Sequence, residues 1–208
     1  LETVIYGGLA SKEANAATKA ALMQKANEKL AVVKAAKDDT LDWDSEFAKA
    51  SSGAAELQAK ADAGPSNDNI VALKKQVAAN KEDTTALFNL AMAYQEVGNW
   101  DGAALAWQKM NDLLPTWEPA YYSKGYALQQ AGYKELAAVA FQKYIDVAVT
   151  KTPAEQQALQ ETLFGAYYSV AYLLHTTDKV KANEALQKAL AMKPNDHNSL
   201  LLQKELMK

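Results

Sequence analysis

Apolar residues recur at alternating spacings of three and four along most of the chain, which is the spacing of one face of an α-helix. Between residues 11 and 36 this face consists of Met23, Ala26, Leu30 and Val33. Thr40 is placed to cap a second helix. The apolar face of that second helix consists of Trp43, Phe47, Ala54 and Leu57. The pattern therefore predicts a helical hairpin within residues 1–64.

A break in the pattern separates this hairpin from the rest of the chain. Gly64 and Pro65 together stop a helix, and the Ser, Asn and Asp residues that follow are typical helix caps. We therefore place a domain boundary here, with an extension over residues 1–64 and a second domain over residues 65–208. The next helix carries Ile70, Leu73 and Val77 and corresponds to the second half of a repeat.

The residue types around Gly132 also occur 34 positions earlier in the chain. The matched pairs are Gly132 with Gly98, Ala137 with Ala103, and Phe141 with Trp107. Small residues let two helices approach closely, and the large residues beside them fill the remaining space. In the first unit these packing positions are occupied by Leu87, Leu90, Ala91, Tyr94, Ala103, Trp107 and Met110, and Pro115 follows the second helix. The second unit has Tyr121, Gly125, Leu128, Ala137, Phe141 and Tyr144, with Lys124 where an apolar residue is expected.

A third unit is displaced from the period. It ends with Ala182, Leu186, Ala189 and Pro194, which have the same spacing as the end of the first unit. Phe141 and Leu186 are 45 residues apart rather than 34, so about eleven residues are inserted. Thr152, Pro153 and Glu155 form a capping box, which predicts that a helix begins there and runs long, towards His175.

The period of 34, with Gly, then Ala five residues later and a large aromatic residue four after that, resembles the tetratricopeptide repeat family. The resemblance implies an all-α fold, a right-handed superhelix of about three helix–turn–helix repeats plus a half-repeat. We place the units at about residues 84–117, 118–152 and 164–196. An N-terminal hairpin would precede them, and a capping helix over residues 197–208 would follow them.

The resemblance also implies where a partner binds, because the first helix of each unit lines the concave face in this family. The groove positions carried over from the family are Phe88, Asn89, Met92, Tyr122, Ser123, Tyr126, Tyr168, Ser169 and Tyr172. Gln95, Gln129 and His175 follow one turn further on. The predicted groove is aromatic and nearly uncharged. Family members that clamp a C-terminal carboxylate use Lys and Asn where this chain has Phe88 and Met92, so we expect no carboxylate clamp.

Composition argues against several other functions. The net charge is −3 and every one of the 22 basic residues is Lys, so we expect no nucleic-acid partner. The chain has no Cys, and its two His residues, His175 and His197, are not spaced as metal ligands on one helix. No nucleophile site or phosphate loop is present in the sequence. We therefore expect no enzyme activity, no metal, no cofactor and no small-molecule substrate.

The sequence favours a scaffold or adaptor that holds a segment of another protein along the concave face. Aromatic residues at helical spacing also occur in cores. The groove could therefore be filled by another part of the same molecule or by oligomer contacts, and this alternative is not excluded. One alternative function is a structural, self-assembling subunit that forms a homo-oligomer through Met23, Leu30, Trp43 and Phe47. A second is a secretion-type chaperone that shelters an apolar export segment, which rests on architecture alone.

The start of the chain bears on localisation. No run of about 18 apolar residues is present, and the first ten residues lack the pattern of a signal peptide. The chain begins with Leu1, so either a leader or membrane anchor has been removed or the numbering begins inside a longer chain. A bacterial-type cytoplasm and a cell envelope, with a tether upstream of Leu1, are both compatible with this pattern.

Overall fold

A computed structural model describes residues 55–207 of the chain. The predicted hairpin residues Met23, Leu30, Trp43 and Phe47 lie outside this part. Residues 55–63 are helical, and Ala63–Lys208 form one of two compact units. The helices of that unit are α1 Asp68–Ala79, α2 Thr84–Glu96, α3 Trp100–Leu113, α4 Glu118–Gln130, α5 Lys134–Ala148, α6 Pro153–Ala158, α7 Gln160–Leu174, α8 Lys179–Met192 and α9 His197–Leu206.

Apart from the short α6, the helices pack in chain order, each on the next. Contacts join α1 to α2, α2 to α3, α3 to α4, α4 to α5, α5 to α7, α7 to α8 and α8 to α9. Within residues 55–207 no strand occurs. The pairs α2–α3, α4–α5 and α7–α8 are three successive helix–turn–helix units, which we call unit 1, unit 2 and unit 3. The predicted all-α helical repeat fold is therefore confirmed.

Glycine in a left-handed conformation ends the first helix of units 1 and 2. Gly98 has φ of 74° and Gly132 has φ of 88°. In the first turn the N–H of Asn99 donates to the carbonyl of Tyr94 at 2.9 Å, and in the second Tyr133 donates to Leu128 at 2.9 Å. This is the Schellman arrangement, which favours Gly at the left-handed position. Unit 3 has no glycine at its turn, which is closed by a 2.8 Å bond from Asp178 N to Leu174 O.

The core follows the predicted alternation of small and large residues. Ala91 and Ala103 are fully buried, and Trp107 beside them is 2% exposed. The same positions in unit 2 and unit 3 are buried Ala137 with Phe141 and buried Ala182 with Leu186. Because Ala allows close helix approach at each of these positions, the same packing is repeated from unit to unit.

The inserted residues form a short separate helix rather than the first turns of a long one. The capping box is present, with Thr152 N donating to Glu155 Oε2 at 2.9 Å. Helix α6 ends at Ala158, and Leu159 interrupts it before α7 begins, so the predicted continuous helix towards His175 is corrected to two. The Nε2 of Gln156 donates to the carbonyls of Val149 and Lys151. These bonds join α6 to the residues that follow α5.

An ion pair joins the end of unit 2 to its beginning, and a second does the same in unit 3. Lys151 Nζ lies 3.0 Å from Glu118 Oε2, and both side chains are largely buried. Lys193 Nζ lies 2.5 Å from Glu161 Oε2, where both side chains are more exposed. In each case a Lys after the second helix reaches back to a Glu in the first turn of the first helix.

Candidate functional site

The nine predicted groove residues lie on the first helices of three successive units. Phe88, Asn89 and Met92 are on α2, Tyr122, Ser123 and Tyr126 are on α4, and Tyr168, Ser169 and Tyr172 are on α7. Phe88 and Met92 are each 40% exposed, Tyr126 is 45% exposed and Tyr172 is 48% exposed. Every unit therefore presents at least one large apolar or aromatic side chain to solvent from its first helix.

Phe88 contacts two tryptophan rings that hold it in place. Its ring centroid is 5.5 Å from that of Trp107, at an interplanar angle of 82°. Trp117, which precedes α4, is 6.5 Å away. Edge-to-face contacts of this kind stabilise a ring in one orientation. Phe88 thus combines a fixed position with an exposed surface, which suits a contact residue.

Tyr126 is supported in the same way by a residue that the sequence analysis did not single out. Trp100, the first residue of α3, lies edge-on to Tyr126 at 5.7 Å and 85°. Trp100 is half-buried and directly follows the cap Asn99. The sequence contained a signal for this contact: a large aromatic residue directly follows the first glycine turn, whereas the equivalent position of unit 2 is Lys134.

Tyr122 has a different environment from Tyr126. Its ring lies 5.3 Å from Phe141 and 5.2 Å from Tyr144, both on α5. A Cβ on Gly165 of α7 would come within 3.2 Å of the Tyr122 hydroxyl, so α4 and α7 meet at this point. Burial raises the pKa of the Tyr122 hydroxyl. Tyr122 is therefore mainly a packing residue that connects α4 to α5 and α7.

Three rings stack along the exposed face of α7. Tyr168 and Tyr172 are 6.1 Å apart at 18°, and Tyr172 and His175 are 5.7 Å apart at 22°. The His175 Nδ1–H donates to the carbonyl of Tyr172 at 2.6 Å, and its Nε2 is 3.8 Å from Glu205 Oε1 of α9. His175 thus belongs to the aromatic surface of unit 3 and also lies next to the terminal helix.

The electrostatic character of these residues is neutral. None of the nine carries a formal charge. Burial raises the pKa of Tyr168 above that of a free tyrosine, with contributions from Tyr172 and Asp196. A tyrosine with its ordinary pKa is already protonated near pH 7 and the raised pKa does not change this, so the Tyr168 hydroxyl is a hydrogen-bond donor as well as an acceptor. Asn89 is exposed and Ser123 and Ser169 are half-buried, so they add further neutral donors and acceptors.

A groove of about 800 Å³ is lined by residues of α5, α7 and α8. Ala138, Ile145, Val170, Leu174 and Ala185 are among the apolar residues that line it. Its charged rim includes the pair Lys181–Asp178 at 3.1 Å and the pair Lys143–Asp146 at 3.8 Å. Sequence reasoning did not find this groove, because it depends on how unit 3 meets unit 2 after the insertion.

Two other kinds of site are absent from the described part of the chain. In residues 55–207 no three His, Cys, Asp or Glu side chains are grouped so that they could hold a metal ion. Over the same residues, no helix combines the length and the apolar character needed to cross a lipid bilayer.

Comparison with known proteins gives a likeness of fold. No protein-family model matches the sequence, and no curated protein matches it. Two crystal structures of MamA are similar in structure, the first at 22% identity and a TM-score of 0.48, covering 66% of this chain and 84% of that chain. The second has 24% identity and a TM-score of 0.49, covering 66% of this chain and 75% of that chain. The helical-repeat architecture itself rests on the helix order and on the turns at Gly98 and Gly132.

Proposed function

We propose that this protein is a scaffold of the tetratricopeptide type, which binds a neutral segment of a partner protein along the first helices of its units. One observation carries the proposal. Phe88, Met92, Tyr126 and Tyr172 are large, apolar or aromatic, and 40–48% exposed, and they occupy equivalent helices of successive units. Single exposed apolar residues are common on protein surfaces, so it is the recurrence of these four on equivalent helices that supports an interaction surface.

The chemistry of these residues supports a neutral segment rather than a charged one. A charged side chain loses hydration on binding and needs an opposite charge to offset that loss. Phe88, Tyr126 and Tyr172 provide no such charge, whereas aromatic rings contribute contact area with little side-chain entropy to lose. The amide of Asn89 and the hydroxyls of Ser123 and Ser169 are suited to hydrogen bonds with a peptide backbone.

The proposal is tested with a library of random 12-residue peptides displayed on phage and selected against the full 208-residue chain. Binding of each selected peptide is then measured by fluorescence anisotropy with the variant Met92→Ser/Tyr126→Ser. We expect a loss of affinity of about tenfold or more, because each residue offers an exposed contact of hot-spot type.

The matched control replaces equally exposed apolar residues on a second helix. Leu136 and Val139 of α5 are 51% and 55% exposed, and Leu136→Ser/Val139→Ser should leave peptide affinity unchanged. If no peptide is enriched, or if both double variants weaken binding equally, the first helices are not the binding surface.

A further inference from the structure

The interface between α3 and α4 is polar at positions where the corresponding interface between α5 and α7 is apolar. Asn111 of α3 corresponds to Ile145 of α5, and Lys124 of α4 corresponds to Val170 of α7. Ile145 is 3% exposed and Val170 is 4% exposed, as expected of residues between packed helices. The two interfaces therefore form a matched pair within one chain.

Asn111 is buried without a hydrogen-bond partner. It is 4% exposed, and neither its Oδ1 nor its Nδ2 is paired. A buried polar group that has lost its hydrogen bonds to water favours any state in which water returns to it. The unpaired amide of Asn111 therefore weakens the closed form of the interface.

Lys124 adds a charged group to the same interface. Its Nζ donates to Oε1 of Gln108, which lies one turn before Asn111 on α3. Gln108 also donates to Asp112 Oδ1 at 2.6 Å. Burial lowers the pKa of Lys124 to about 8, although the charge of Asp112 acts in the opposite direction. The loss of hydration on burial thus outweighs the attraction of the carboxylate.

We propose that the α3–α4 interface is a joint at which unit 1 separates reversibly from unit 2, and that α2 and α3, having lost this packing, then open locally while unit 2 stays folded. A buried polar group without a partner lowers the free energy needed to open the interface that contains it, and Asn111 places such a group between two repeat units. The position of the joint gives it a regulatory role, and this consequence rests on the proposed function. Phe88 and Met92 lie on one side of the joint and Tyr126 on the other.

The joint regulates binding by setting the fraction of molecules in which both halves of the surface are aligned. A segment that contacts Met92 and Tyr126 together binds the closed form alone. Its apparent affinity is then the intrinsic affinity reduced by the closed fraction. Any change that favours closure raises the affinity without touching the contact residues.

Hydrogen–deuterium exchange of the full chain, with no partner present, tests the joint. The variant Asn111→Ile/Lys124→Val introduces the residues that the chain itself uses at positions 145 and 170. In the unmodified chain we expect α2 and α3 to exchange faster than α7 and α8. The variant should slow exchange in α2 and α3 by about tenfold, as expected from removing one unpaired buried group, and leave α7 and α8 unchanged.

Two further variants keep the test decisive. Gln142→Ala, at the exposed position that corresponds to Gln108, should change nothing. If the double variant fails to fold, Lys124→Met alone should still slow exchange in α2 and α3. Equal exchange of both helix pairs in the unmodified chain, or equal slowing of all helices, overturns the joint. Neither outcome depends on peptide binding, so failure of the peptide selection leaves this result unaffected.

Discussion

The side-chain amide of Asn99 donates a 3.0 Å hydrogen bond to the carbonyl of Pro65, one full repeat period earlier in the chain. Its Oδ1 accepts from Gly102 N at 2.9 Å and so caps α3. A Cβ on Gly64 would come within 2.7 Å of the Asn99 amide, so the two segments are in close contact. One buried side chain therefore begins α3 and fixes the segment that precedes α1.

Replacing Asn99 should separate these two roles. Asn99→Ala removes the cap and leaves the Pro65 carbonyl without its donor, and we expect a loss of about 3 kcal/mol in the free energy of unfolding. Asn99→Ser retains a capping oxygen but is too short to reach Pro65, so about half of that loss should remain. Urea unfolding measures both. Equal losses for Ser and Ala would show that the cap contributes nothing.

Tyr122 and Tyr126 should differ in stability although they lie one turn apart on α4. Tyr122→Ala removes contacts with Phe141 and Tyr144, and we expect a loss of about 2–3 kcal/mol on unfolding. Tyr126→Ala removes one edge contact with Trp100 from an exposed position, and we expect a loss of about 1 kcal/mol or less. Chemical denaturation of the two variants tests this order, and a larger effect at Tyr126 would contradict it.

The stability of the protein should rise as the pH is raised from 8 towards 9.5. The pKa of Lys124 is about 8 in the folded chain against an ordinary value of 10.5, so above pH 8 the unfolded chain binds more protons at this residue. Raising the pH then favours folding, by at most about 1.4 kcal/mol per pH unit, and below pH 8 this effect disappears.

The control for the pH experiment is Lys124→Met, which removes the titrating group. The free energy of unfolding, measured between pH 7 and 9.5, should rise with pH more steeply in the unmodified chain than in the variant. Parallel profiles would show that Lys124 does not titrate in this range. The range ends below pH 10 because the pKa values of Tyr121, Tyr122 and Tyr144 are raised by burial and their ionisation would favour unfolding.

Alanine at Gly98 or Gly132 should destabilise the chain through backbone strain alone. Both glycines have positive φ, and an added Cβ would meet no atom within 4 Å. We expect about 1–2 kcal/mol from either substitution, since this is the cost of a left-handed L-residue. Asn tolerates this conformation better, so Gly98→Asn should be milder than Gly98→Ala. Thermal melting of the three variants measures the difference, and equal melting temperatures would contradict it.

The regular part of the fold was predictable because its packing is local and repeated. Gly98 and Gly132 mark equivalent turns, and Ala103 and Ala137 mark equivalent close approaches, so subtraction of one period relates them. The same reasoning cannot describe Tyr122, whose neighbour Gly165 lies beyond the insertion. It cannot place the interruption at Leu159 either, because the apolar pattern continues across it.

The helices that carry the predicted site residues could be read from the sequence, whereas the contacts of those residues could not. The family pattern placed Phe88, Met92, Tyr126 and Tyr172 on first helices, and their exposure agrees with a contact surface. The support of Tyr126 by Trp100 depends on a contact between helices that no spacing within one helix encodes. That the nine residues form one continuous groove stays a prediction for the peptide experiment.

The two ion pairs that close units 2 and 3 give the chain an uneven response to ionic strength. The Glu118 side chain is 10% exposed and that of Lys151 is 25% exposed, whereas the Glu161 and Lys193 side chains are 78% and 37% exposed. Dissolved salt screens exposed charges strongly and buried ones weakly. Concentrated salt should therefore weaken the Glu161–Lys193 pair of unit 3 more than the Glu118–Lys151 pair of unit 2, so ionic strength acts first on the C-terminal end of the repeat array.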